Sequence, residues 1–137
     1  MVDIIFSIIY FKSKINMYHK NLEEDTINNK NYRSVKFTTD TLQFVFMSLN
    51  VGEEIGSEVH PKTTQFIRIE KGRGIAIIAG KKYDLIGGSS IIVKPGTIHN
   101  IINTSKTKKL KLYTIYSPPE HKHGLIQKRK PKNDVKN

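Results

Sequence analysis

The sequence predicts an all-β domain, a sandwich or barrel, and three observations lead there. From Tyr32 onward the apolar runs are short and rich in Ile, Val, Phe and Tyr, the residues that fit a pleated, half-buried surface. Turn signals such as Asn50-Val51-Gly52, Lys71-Gly72-Arg73-Gly74 and Gly87-Gly88 recur roughly every eight to twelve residues. No stretch sustains the apolar period of a long helix.

The elements follow in order. Residues 18–31 are polar and read as an entry loop, with a helical turn over residues 22–26. Strands are expected over residues 34–39, 42–49, 53–60 and 65–70, the last alternating apolar with polar side chains. Residues 74–79 and 82–85 form a hairpin about Gly80-Lys81. Residues 90–93, 99–103 and 109–117 complete the set, and in the last of these Leu110, Leu112, Thr114 and Tyr116 share one face. On residues 65–70 the Gln65, Ile67, Ile69 face points inward, which turns Arg68 and Glu70 outward as an exposed pair. Phe66 joins that outer face, and Phe44 and Phe46 make a second aromatic face, a pattern that suggests a homodimer.

A chain of 137 residues suits one domain. The reading divides it into an N-terminal extension (1–17), a barrel domain (18–121) and a basic tail (122–137), structureless beyond Gln127. The apolar run over residues 2–11 is too short to span a bilayer and lacks the basic start of a signal peptide, and Met17 offers a second translation start. With no cysteine, disulfides and thiolate metal sites are excluded, and a reducing compartment is suited. A cytoplasmic or other intracellular location is expected. The wealth of Ile, Lys and Asn matches an AT-rich genome such as that of a large DNA virus, in which case a virion is the alternative.

The formal net charge of +11 is unevenly placed. Residues 106–137 hold ten Lys and Arg against Glu120 and Asp134, whereas residues 51–104 hold seven against five acids. The tail is therefore a solubilising segment or a contact for nucleic acid or another anionic surface.

Candidate chemistry gathers on four residues. Glu58 and His60, two apart in an extended segment, share a face. Pro61 ends that segment, Lys62-Thr63-Thr64 turns, and Gln65 opens the return strand beside them. Far along the chain, Lys94-Pro95-Gly96-Thr97 launches His99. His121 and His123 mimic a His-x-His pair, yet they follow Pro118-Pro119 in a polar stretch suited to closing over a barrel mouth. His19 has no such context, no glycine turn precedes a helix as a phosphate loop requires, and no Ser-His-Asp arrangement is evident.

These residues carry a resemblance. Gly52, the Glu58-x-His60 pair, Gln65 and Gly72 follow the first motif of the cupins, and Gly88, Pro95-Gly96, His99 and Asn103 follow the second. Residues 31–121 resemble in particular the small single-domain cupins with a Glu-x-His and Gln-Phe first motif, which often end like Tyr116 to His121. The resemblance implies a double-stranded β-helix, or jelly-roll, barrel. It also implies one divalent transition metal, Fe, Mn, Ni, Co or Zn, on Glu58, His60, Gln65 and His99. Against the usual His/His/Glu/His set, Glu58 stands for the first His and Gln65 for the Glu, so the ligand charge is unchanged while its position moves. The implied activity is a metal-dependent isomerisation of a sugar or sugar phosphate, as in proteins labelled mannose-6-phosphate isomerase-like. An iron-dependent dioxygenase or a non-catalytic small-ligand module are the alternatives. Tyr116, on the inward face, is the candidate catalytic side chain.

Overall fold

Alternating burial decides how the strands lie. In a computed structural model, which describes residues 17–132, the strands are β1 (Arg33–Thr38), β2 (Gln43–Leu49), β3 (Thr64–Lys71), β4 (Arg73–Ile78), β5 (Lys81–Ile86), β6 (Ser90–Val93), β7 (His99–Asn103), β8 (Leu110–Ser117) and β9 (Ile126–Gln127). A sheet ordered β6-β3-β8-β2-β1-β9 packs on a smaller one ordered β5-β4-β7, all pairs antiparallel. Val45, Met47 and Leu49 of β2, Ile67 and Ile69 of β3 and Leu110 and Leu112 of β8 meet Ala76, Leu85 and Ile101 of the small sheet in one buried core. The spacing of strands and turns predicts a sandwich or barrel, and this is the jelly-roll form of it that the resemblance implies.

Three local devices shape the barrel. Gly72 sits at φ 103, where an added Cβ would lie 2.6 Å from the Lys109 carbonyl oxygen, so only glycine fits the β3–β4 turn. The β4–β5 hairpin turns on Ala79-Gly80, one residue earlier than the sequence indicates, because Ile78 pairs with Lys81. Buried Asn103 donates its Nδ2 hydrogens among the carbonyls of Leu49, Asn50 and Lys108, tying two loops to β7.

Several expectations change. Residues 53–60 are not a continuous strand: their backbone pairs with β7 at the isolated bridges Glu54–Ile102 and Glu58–His99. Gly56, at φ 100, takes the chain out of the extended ladder between them, and its N–H finds the Asn100 side chain instead. The entry segment forms a full helix, α1 (Leu22–Asn28), because Asn21 caps it by accepting from the Glu24 N–H. Tyr18 and Leu22, at and before this helix, pack on Phe44, Phe46 and Tyr113, so that aromatic face is covered by the chain itself.

The chain beyond His121 lies on the barrel rather than apart from it. β9 pairs Ile126 with Ser34 and Gln127 with Arg33, the Lys128 carbonyl accepts from the Tyr32 N–H, and Lys130 reaches the Glu54 carbonyl. A structureless segment from residue 128 is thus corrected: from there on, the partners are the Tyr32 N–H for the Lys128 carbonyl and the Glu54 carbonyl for the Lys130 ammonium. The expectations for residues 1–16 and 133–137 lie outside the described residues. Among the described residues no helix is long and apolar enough to cross a membrane.

Candidate metal centre

The two motif segments meet through their backbones before their side chains do. Glu58 and His99 exchange N–H and carbonyl groups at 2.8 and 3.0 Å, and the Gly96 N–H donates to the His60 carbonyl at 2.9 Å. These bonds hold the turn at Pro95-Gly96 against the segment that carries Glu58 and His60. As a result one ligand atom from each of Glu58, His60 and His99 falls within 4.8 Å of the others. Glu58 Oε2 lies 3.4 Å from His60 Nε2 and 4.0 Å from His99 Nε2.

Both imidazoles are oriented from behind. His60 Nδ1 lies 3.0 Å from Glu120 Oε1, and Glu120 Oε2 accepts from the Thr63 hydroxyl at 3.1 Å. His99 Nδ1 donates to the Thr97 carbonyl at 2.9 Å. A ring that commits its Nδ1–H to an oxygen presents Nε2 as the lone-pair nitrogen, the tautomer a metal ligand needs. The donor set therefore fits a divalent ion: two neutral imidazole nitrogens and one carboxylate oxygen, already converging.

Charge tunes the cluster. Burial alone would raise the Glu58 carboxyl, but the His60 hydrogen bond and the charges of His60, Arg33 and His99 outweigh it and hold it below the usual carboxylate range. Burial would lower His60; its contacts with Glu58 and Glu120 reverse that and raise it.

Gln65 and Tyr116 sit beside this cluster on neighbouring strands. Gln65 is buried on β3, where its Nε2 donates to Thr114 Oγ1 at 3.0 Å and its Oε1 has no hydrogen-bond partner among the described residues. Tyr116, on β8 opposite Gln65, turns its ring edge to His60 at 5.6 Å between centroids. Burial raises its phenol well above the ordinary value, so the group stays protonated. His121 packs on the other side of Tyr116, Nε2 to the phenol oxygen at 3.3 Å, while His123 and His19 are exposed. Of the sequence candidates, then, Glu58, His60 and His99 form the cluster, Gln65 and Tyr116 adjoin it, and the His121-x-His123 pair does not.

Three contributors were hidden in the sequence. Glu120 belongs to the Tyr116–His121 segment, but only the fold brings it to His60. Gln43 is the clamp for that segment: its Oε1 accepts from the Glu120 and His121 N–H groups and its Nε2 donates to the His121 carbonyl. Parity offered the signal, since Gln43 shares the inward face of Val45 and Met47. Arg33 stands one residue before the expected first strand; extending that strand by one residue puts it on the Val35 face, pointing inward.

Comparison with known proteins agrees with this architecture. Residues 45–116 match the model of the cupin domain. The chain is 46% identical over 121 residues to the uncharacterised protein L612 of Acanthamoeba polyphaga mimivirus, covering 85% of this chain and 75% of that one. It is 43% identical over 117 residues to the uncharacterised protein YrkC of Bacillus subtilis, covering 80% of this chain but 62% of the relative's length. Among solved structures, BH2720 of Bacillus halodurans superposes with a TM-score of 0.80 at 36% identity, covering 85% of this chain and 92% of that one. By strand order, by the paired motifs around Glu58, His60 and His99, and by these likenesses, the chain belongs to the cupin family.

Proposed function

We propose that this cupin binds one divalent transition metal, Fe, Mn, Ni, Co or Zn, through Glu58, His60, His99 and Gln65, and acts on a small polar substrate of the sugar or sugar-phosphate class as an isomerase. One observation carries the reading: two histidines, each fixed in the Nε2-presenting tautomer, aim at a carboxylate within 4.8 Å. The buried, partnerless Gln65 Oε1 supports a fourth ligand, a neutral one that leaves the charge balance to Glu58. When bound, such an ion supplies Lewis-acid polarisation of a substrate oxygen. The chain's own part is to hold that oxygen's surroundings. Glu120 keeps the His60 proton on Nδ1, and Tyr116 offers a protonated phenol as donor beside the ligand position.

The test is elemental analysis after loading and desalting. About one ion per chain is expected in the wild type, and loss of it in His60→Ala and His99→Ala. Equal metal retention in all three proteins would sink the proposal. A sugar-phosphate panel then separates roles: metal-dependent turnover marks an isomerase, and thermal stabilisation by a ligand without turnover marks a binding module.

Partners and location extend the same reading. Ile92, Phe66 and Ile115 form an apolar strip on the outer face of β6, β3 and β8, with Ile92 67% exposed, and this strip is our choice for a homodimer contact. Sedimentation of Ile92→Lys tests it, a monomer being expected. Lys71, Lys108, Lys109 and Lys111 line one groove with Ile27 and Gly72, and this groove, in addition to the basic tail, is a seat for an anionic partner such as nucleic acid. An intracellular setting, where transition metals are buffered and thiols are reduced, suits all of these roles.

A further inference from the structure

Arg33 is a buried cation that the site as described uses only through its charge on Glu58. Its side chain is 4% exposed, and its register partner on β2 is Met47, an inward residue of the core. Nη1 donates to Gln127 Oε1 at 2.5 Å, and the guanidinium carbon stands 5.1 Å from the centroid of the Tyr32 ring. Nε is buried with no hydrogen-bond partner, and no carboxylate lies within 4.0 Å of the group among the described residues. The acid that senses its charge, Glu58, is engaged with His60 and His99.

An uncompensated guanidinium inside a barrel is costly, because its desolvation is repaid only by a counter-charge and by filled hydrogen bonds. Two neutral contacts do not supply that charge. The group stays in place because a neighbouring strand holds it: β9 delivers Gln127 directly opposite. It also belongs to the interior that contains the metal cluster, since Met47 opposite it shares the inward face of β2 with Gln43, whose register partner is Tyr116, and its charge acts on Glu58, Tyr116 and His121. A planar fork with an open Nε is the shape that receives a carboxylate or phosphate oxyanion.

We propose that Arg33 is the anion-recognition residue of the barrel, accepting the carboxylate or phosphate of a small substrate whose other end meets the Glu58–His60–His99 cluster. The proposal rests on the metal-site reading above and narrows its substrate class to anions. It also supplies the cation that Lys62 and Lys94, outside the barrel, do not.

Glucose, glucuronate and glucose 6-phosphate differ only in carrying no anion, a carboxylate or a phosphate, and they make the probe set. Calorimetric titration of metal-loaded wild type should show at least one of the two anions binding more tightly than glucose, and which one identifies the oxyanion. In Arg33→Met that anion should weaken on the order of tenfold or more, with Arg33→Lys intermediate and glucose unchanged. Metal content of Arg33→Met should equal that of wild type, and its midpoint of thermal unfolding should not fall, since a buried unpaired charge has been removed. Undiminished anion binding in folded Arg33→Met overturns the proposal, as does a wild type that binds neither anion better than glucose. The second comparison needs no variant, and if Arg33→Met fails to fold the Arg33→Lys titration takes its place, undiminished anion binding there overturning the proposal. Wild type that retains its ion while failing the anion comparison overturns the Arg33 role alone. Wild type that retains no ion overturns the metal reading, and the titration repeated on the metal-free protein then judges Arg33 by the same comparison.

Discussion

His60 depends on a residue sixty positions away. Glu120 fixes its tautomer and raises its basicity, and groups in that position around metal sites affect affinity by about 10–100-fold when removed. Glu120→Gln keeps the shape and one acceptor but loses the charge. Metal affinity measured by competition with a chelator should fall by about that factor, with the circular dichroism spectrum unchanged. His121 gives a second test at this scale. Burial, and then the charge of Arg33, push it down to about 4, below the unfolded value near 6.5. A folded state that resists protonation loses stability as pH falls. The thermal midpoint of the chelated protein should therefore drop as pH goes from about 6.5 to 4, and His121→Phe, which keeps a ring against Tyr116, should flatten that drop. An unchanged slope in the variant would contradict the assignment.

At the scale of elements, Ala79 carries a defect that can be repaired. It adopts φ 49 in the β4–β5 turn, where a Cβ costs roughly 1–2 kcal/mol and Asn or Gly costs less. Ala79→Asn should raise stability by about 1 kcal/mol in denaturant unfolding, with no effect on metal binding. Asn103→Ala should act in the opposite sense, by about 1–3 kcal/mol, because three carbonyls lose their shared donor. The strands themselves were legible, since parity on residues such as Ile67, Leu112 and Tyr116 follows directly from the pleat. Glu58, His60 and His99 were legible because glycine and proline punctuate their segments at motif spacing. Gly56 was not, because a glycine within a β-like run does not say whether it bends the chain. The roles of Glu120 and Gln43 were not legible either: both act across the barrel, and nothing local marks a partner 60 or 77 residues distant.

The whole molecule shows why the last described residues matter. Gln43 holds the backbone at Glu120 and His121, Glu120 holds His60, His121 covers Tyr116, and Gln127 holds Arg33. The metal cluster and the buried arginine are thus closed by one strap, read from the sequence as a tail because its apolar content is only Leu125 and Ile126. Deleting residues 122–137 should lower the thermal midpoint and expose Arg33, and limited proteolysis should then cut within β1. The aromatic face under α1 makes a similar point, since a composition that suggested a second copy is satisfied by Tyr18 and Leu22 of the same chain.

β9 is also the last strand of the larger sheet, and it is two residues long. A sheet margin with free amide and carbonyl groups is a template on which a neighbouring molecule can polymerise. Here the margin is short, and Lys128, Arg129 and Lys130 follow it at once, so a second margin brought alongside would meet like charge. The basic composition of this region then acts as colloidal protection: it keeps concentrated protein from joining edge to edge, independently of any partner the charge might attract.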